Sequence, residues 1–147
     1  MVPATATPTP TPLRADGPKE TVLVVEDEDA VRMLAVESLR RGGYVVIQAA
    51  SGEEALRVAD AFDGVIHVLL SDVVMPGMKG PELAARLRAA RPCIRVLLMS
   101  GYAADVVTKD DLREATLLSK PFAPAGLTKA VRQVLDQPLS PGPLPKR

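Results

Sequence analysis

The sequence predicts an α/β fold, a doubly wound parallel sheet of five strands with helices on both faces. Three observations predict it. The short apolar runs, such as Thr21-Val22-Leu23-Val24-Val25, are continuous rather than alternating, as in strands covered on both faces. Between them lie segments whose apolar residues recur at helical spacing. The two kinds of segment alternate five times. Units of this length close into a parallel sheet through right-handed crossovers.

The elements follow in order. Thr21–Val25 is the first strand, and Glu26-Asp27-Glu28-Asp29 follows it at once. Asp29 suits a helix N-cap. The helix runs to about Arg41, with Val31, Leu34, Ala35, Ser38 and Leu39 on one face, and Gly42-Gly43 stops it. Residues 44–48 form the second strand. Ser51 and Glu54 form a capping box that opens a short helix to about Asp60. Residues 65–71 form the third strand, which ends abruptly at Asp72. A loop follows through Met75-Pro76-Gly77-Met78-Lys79-Gly80, and Pro81 suits a first helical turn. Leu83, Ala84, Leu87 and Ala90 mark the apolar face of that helix, which Pro92 ends. Residues 95–99 form the fourth strand, leading to Ser100-Gly101. Residues 103–114 carry a poor helix pattern. Residues 116–118 are a short fifth strand before Lys120-Pro121. Pro124–Asp136 is the last helix, with Leu127, Ala130, Val131, Val134 and Leu135 inward. Five βα units fit the flavodoxin-like strand order 2-1-3-4-5.

Proline sets the boundaries. Of the 14 prolines, Pro3, Pro8, Pro10, Pro12 and Pro18 crowd the start, and Pro138, Pro141, Pro143 and Pro145 the end. Residues 1–19 and 137–147 therefore read as disordered, polyproline-like tails around a single domain at residues 20–136. That body holds 14 basic and 17 acidic residues, which disfavours nucleic-acid binding by bulk charge. No apolar run approaches the ~20 residues of a membrane span, and no signal-peptide pattern is present. The expected setting is cytoplasmic. A lone cysteine, Cys93, excludes an internal disulfide and reads as a free structural thiol. Aromatic residues are only 3%, so the core has to be aliphatic.

A carboxylate at the end of a buried strand needs a partner from elsewhere in the fold. In a doubly wound sheet, ligands bind beyond the carboxyl ends of the strands, at the switch point between strands one and three. Strand one delivers Glu26 and Asp27 there, strand three Asp72, strand four Ser100 and strand five Lys120. Carboxylates held close repel by ~4 kcal/mol per pair at 4 Å and an effective dielectric near 20. A hard divalent cation relieves this, and two or three carboxylates plus waters suit Mg²⁺. With a lysine and a hydroxyl beside it, Asp72 is placed as a nucleophile toward phosphorus.

Each residue alone has a plainer reading. The acidic run favours a helix N-terminus, Asp72 forms turns, Ser100-Gly101 is a turn and Lys120 is a solvated cation. Their joint arrival at four strand ends disfavours that combination. His67 reads as a packed or edge residue, and Arg86, Arg88 and Arg91 as a solvated face.

At these residues the sequence resembles the receiver domain of two-component response regulators. Val22-Leu23-Val24-Val25-Glu26-Asp27-Glu28, Leu69-Leu70-Ser71-Asp72-Val73-Val74-Met75-Pro76-Gly77, Met99-Ser100-Gly101 and Ser119-Lys120-Pro121-Phe122 match its landmarks in order. The resemblance implies that Asp72 accepts a phosphoryl group from a histidine kinase or phosphotransfer protein. It implies Mg²⁺, with Mn²⁺ as a substitute, on Asp27, Asp72 and the backbone carbonyl of Val74, with Glu26 acting through water. It assigns the phosphate to Lys120 and Ser100, and a cis bond to Lys120–Pro121. Glu26 stands where the family most often has aspartate. Leu117 stands where many members carry a switching aromatic, and Tyr102 is the candidate substitute. Ser100-Gly101-Tyr102 and the Pro/Thr-rich leader are similar to receivers at the C-terminus of hybrid sensor kinases.

The expected role is signalling rather than enzymatic turnover, with self-phosphorylation and autodephosphorylation as the limit. Output is expected through protein contacts or onward phosphoryl transfer, from a monomer or weak homodimer, without nucleic acid or membrane. Two other readings compete. One is a phosphate-independent pseudo-receiver, disfavoured because every site residue is present. The other is an aspartyl phosphatase, disfavoured because such enzymes want a second acid where Val74 stands.

Overall fold

The computed structural model describes residues 20–101 and 115–137. They form one five-stranded parallel sheet in the order β2-β1-β3-β4-β5. The strands are β1 (Thr21–Val25), β2 (Val45–Ala49), β3 (Val68–Asp72), β4 (Arg95–Ser100) and β5 (Ala115–Ser119). The helices are α1 (Asp29–Arg41), α2 (Gly52–Ala61), α3 (Gly80–Ala90) and α4 (Pro124–Asp136). The expected fold and strand order are what the chain adopts. The segment at 103–114, with Tyr102, lies outside the described residues, as do residues 1–19 and 138–147 of the two Pro-rich tails.

Side chains alternate between two apolar layers, as the period of a strand requires. Leu23, Val25, Leu69, Val96 and Leu98 face a layer shared with α2 and α3. Val22, Val24, Val68, Leu70, Leu97 and Met99 face a layer shared with α1 and α4. Both layers are mainly aliphatic, with Tyr44 buried in the second, and each fully buried Leu or Val contributes ~1.5–3 kcal/mol of transfer free energy. Two buried methionines, Met75 and Met78, belong to the first layer, so the loop after β3 is anchored on either side of Pro76-Gly77.

Several local expectations shift. The N-cap of α1 is Glu28, with no side-chain cap bond, and Asp29 is the first helical residue. The capping box of α2 forms, since Ser51 Oγ accepts from Glu54 N–H at 3.1 Å. Glu54 reaches one residue further back than expected, accepting from Ala50 N–H at 2.7 Å. β3 starts three residues late. Val65 is exposed, and His67 instead accepts the Thr21 N–H on Nδ1 at 3.0 Å. Cys93 is a free thiol, but it is exposed rather than packed.

Arg91 is not part of a solvated face. Its guanidinium donates to the carbonyls of Ala59, Phe62 and Gly64, each at 2.9 Å. It therefore satisfies carbonyls left open by the end of α2. Arg86 pairs with Glu82 on the surface at 3.0 Å, as its spacing predicts.

Near the amino ends of the strands, Arg132 on α4 lies 3.2 Å from Glu20, and Arg95 donates to the Gln137 carbonyl at 2.8 Å. The first and last described residues are thus held at one edge of the sheet. The polar strand ends lie at the other.

Candidate functional site

The site is built where the strands stop. β1 carries four apolar residues, and Glu26 follows them directly, fully buried. Asp27 follows at the rim. β3 ends on Asp72, and β4 ends on Ser100, both nearly buried. The Lys120 N–H donates to the Ser100 carbonyl at 2.9 Å, which extends the pairing of β4 and β5 as far as the lysine. The Lys120–Pro121 peptide is cis.

Lys120 Nζ lies 3.0 Å from Glu26 Oε1 and 3.4 Å from Asp72 Oδ2, with Glu28 further off at 4.0 Å. The other oxygen of Glu26 accepts from Glu28 N–H at 3.1 Å. Burial raises the pKa of Glu26 above the usual carboxylate range, outweighing the Glu28 N–H and Lys120, while the Asp72 charge adds to the rise. Burial likewise raises Asp72 against the opposing pull of Lys120, and Asp27 adds to the rise. Burial opposes the charge on Lys120. Its bonds and attraction to Glu26 and Asp72 win, and its pKa is raised.

Ligand oxygens of Glu26, Asp27 and Asp72 lie within 4.8 Å of one another. All are hard donors, and one lysine faces several carboxylates. A hard divalent cation fits that set and relieves the repulsion that adds to the rise of the two acids. Asp27, Asp72, Val74, Ser100 and Lys120 all line one cavity of about 700 Å³. Six of the expected residues are thus gathered at one edge. Leu117 is elsewhere, partly buried against the layer of α2 and α3 in register with Leu98. Tyr102 falls outside the described residues.

Periodicity missed part of the mouth. Val31 and Leu34, read as core, line the cavity together with Glu28, Pro121 and Phe122. Leu34 is 40% exposed, and the core stripe of α1 is Ala35, Val36, Ser38 and Leu39. Their i, i+3 spacing marks a shared stripe but not what the stripe faces.

Gly80 fixes the other wall. Its N–H donates to the Val73 carbonyl at 2.9 Å. A Cβ there would overlap the Asp72 carbonyl oxygen and crowd Val73 Cα at 3.1 Å. Neither obstacle is a side chain that can swing aside. Gly80→Ala is expected to destabilise the chain by about 1–3 kcal/mol and to weaken divalent-cation binding by moving Asp72. Urea unfolding and Mg²⁺ titration check it, and wild-type values in both would refute the packing argument.

A parallel doubly wound sheet with acids at the tips of β1 and β3 and a lysine after β5 defines an α/β module with a charged pocket at its strand ends. The family described as response regulator receiver domain matches residues 22–132. The chain belongs to that family. It is 44% identical over 119 residues to the sensor kinase CckA of Brucella abortus, a match covering 80% of this chain but 13% of that kinase. It is 32% identical over 116 residues to the response regulator receiver protein CpdR of the same organism, covering 78% of this chain and 95% of CpdR. Among solved structures, the receiver domain of the hybrid histidine kinase CckA superposes with a TM-score of 0.68 at 41% identity, covering 79% of this chain and 99% of that one. The chemotaxis response regulator CheY4 of Vibrio cholerae superposes at 0.67 and 31% identity, covering 80% and 100%. Among the described residues, no helix is long and apolar enough to cross a membrane.

Proposed function

We propose that the chain takes a phosphoryl group onto Asp72 from a phosphohistidine of a kinase or phosphotransfer protein. The observation that carries this is the lysine bridging Glu26 and Asp72 beside three clustered carboxylates at the strand tips. An Asp72 carboxylate oxygen bonds to phosphorus as the donor P–N bond breaks. The bonding pair stays on the imidazole nitrogen, which takes up a proton. Lys120 turns from the carboxylates toward the charge on the transferring oxygens, and the Ser100 hydroxyl is a further donor. Asp27, Asp72 and the Val74 carbonyl would hold Mg²⁺ or Mn²⁺, with Glu26 acting through water. When bound, the cation would supply positive charge against that of the transferring phosphoryl group.

The added charge, roughly −1.5 to −2, shifts the population of a protein-binding surface. The output is contact with another protein or onward transfer of the phosphoryl group, in a reducing cytoplasm, from a monomer or weak homodimer. The similarity to part of CckA supports a second form of the same reading, the receiver of a hybrid sensor kinase. Acetyl phosphate and beryllofluoride, each with and without Mg²⁺, test the proposal by intact mass and amide chemical shifts. A Mg²⁺-dependent adduct is expected. No adduct would indicate a pseudo-receiver, and rapid turnover of external phosphoesters would indicate a phosphatase.

A further inference from the structure

Arg32 is not among the residues lining the cavity, yet it is bonded to the residue that precedes Asp27. It sits one turn into α1, and its side chain is only 16% exposed. Nη1 donates to the backbone carbonyl of Glu26 at 2.8 Å. Nη2 donates to Asp29 Oδ1 at 2.6 Å. Nε donates to Gln48 Oε1 at 3.1 Å. One planar group therefore brackets the end of β1, the start of α1 and the end of β2.

The bond to the Glu26 carbonyl matters most. That carbonyl belongs to the peptide joining Glu26 to Asp27, so its orientation fixes the direction in which Asp27 leaves the backbone. Every other polar group of Glu26 is already engaged. Its N–H donates to the Ala49 carbonyl at 3.2 Å, and its carboxylate oxygens meet Lys120 and the Glu28 N–H. Glu26 is thus locked, and the remaining freedom lies in the peptide that Arg32 holds. Lysine could offer charge here, but not three bonds from one plane.

We propose that Arg32 is a positioning residue that orients Asp27 for the divalent cation by bracketing the Glu26–Asp27 peptide. This rests on the proposed reading of the acidic cluster as a cation site. Two roles for Arg32 predict opposite signs. If its charge alone mattered, removing a cation beside three carboxylates would tighten Mg²⁺ binding. If it positions Asp27, removing it loosens binding, although the net charge then favours the metal.

The test is calorimetric Mg²⁺ titration of the full chain, with amide shifts of residues 26–29 followed alongside. Arg32→Ala and Arg32→Lys are both expected to weaken Mg²⁺ about tenfold, the scale found when groups that orient metal ligands are removed. The lysine variant keeps the charge and, if the alanine variant fails to fold, carries the test alone. Wild-type or tighter affinity in Arg32→Ala overturns the proposal even if that variant melts earlier. Wild-type affinity in Arg32→Lys overturns it too, since charge would then suffice. Absence of Mg²⁺ binding by the unaltered chain would overturn the cation-site reading itself, and this inference with it.

Discussion

Asp72→Asn is expected to abolish the Mg²⁺-dependent acetyl phosphate adduct, with a loss of at least about a hundredfold in labelling rate, the scale on which removing a nucleophile is felt. The same variant is expected to be more stable than the unaltered protein in the absence of a cation. Burial, against the pull of Lys120, raises the Asp72 pKa above its ordinary value. A carboxyl raised in this way favours folding most fully below its unfolded pKa, and that contribution is lost as pH rises through the folded pKa. Asparagine has no proton to lose. The melting advantage of Asp72→Asn should therefore be small near pH 4 and grow toward neutrality. It should narrow when Mg²⁺ is added, because the cation stabilises only the carboxylate form. An adduct retained in Asp72→Asn would move the phosphoacceptor elsewhere. An advantage that shrank with rising pH would contradict the electrostatics described for the site.

Lys120→Met should be the most damaging single change to stability around the site. It leaves Glu26, whose side chain is fully buried, without its counter-charge. Breaking one side of a buried pair costs about 3–5 kcal/mol. The lower end is expected here, because the Glu28 N–H remains and Glu26 can take up a proton. That proton makes the effect pH-dependent. Without Lys120 the Glu26 pKa rises further, so the stability deficit widens as pH rises and narrows under acid conditions. Urea unfolding at pH 5 and pH 8 measures both. Equal deficits at the two values would mean that Glu26 does not depend on Lys120. Restoring stability with Glu26→Gln in the Lys120→Met background would identify the stranded charge as the cause.

Much of this was legible in the sequence because the chain announces strand ends chemically. An apolar run that stops on Asp72, or on Glu26, can be read without knowing the fold, and strand alternation then brings those ends together. Boundaries were less legible. Val65 and Ile66 extend the apolar run of β3, but apolarity does not distinguish a paired residue from one approaching the sheet, and Val65 turns out to be exposed. Leu34 obeys the helical spacing of a core residue, yet it borders a cavity. Arg91 looked like its neighbours Arg86 and Arg88. Its partners lie 27 to 32 residues earlier, a distance no local pattern encodes. Arg32 escaped attention for the same reason, since only folding brings Gln48 beside it.

The two ends of the described chain are fastened to one rim of the sheet by Arg132 and Arg95, with the acidic cavity on the opposite rim. A unit wired in this way behaves like a plug-in cassette. Residues 20 and 137 both lie on the rim away from the cavity, so a junction made at either one need not cross the working face. That is in keeping with its resemblance both to a small fraction of a large kinase and to nearly the whole of a small regulator.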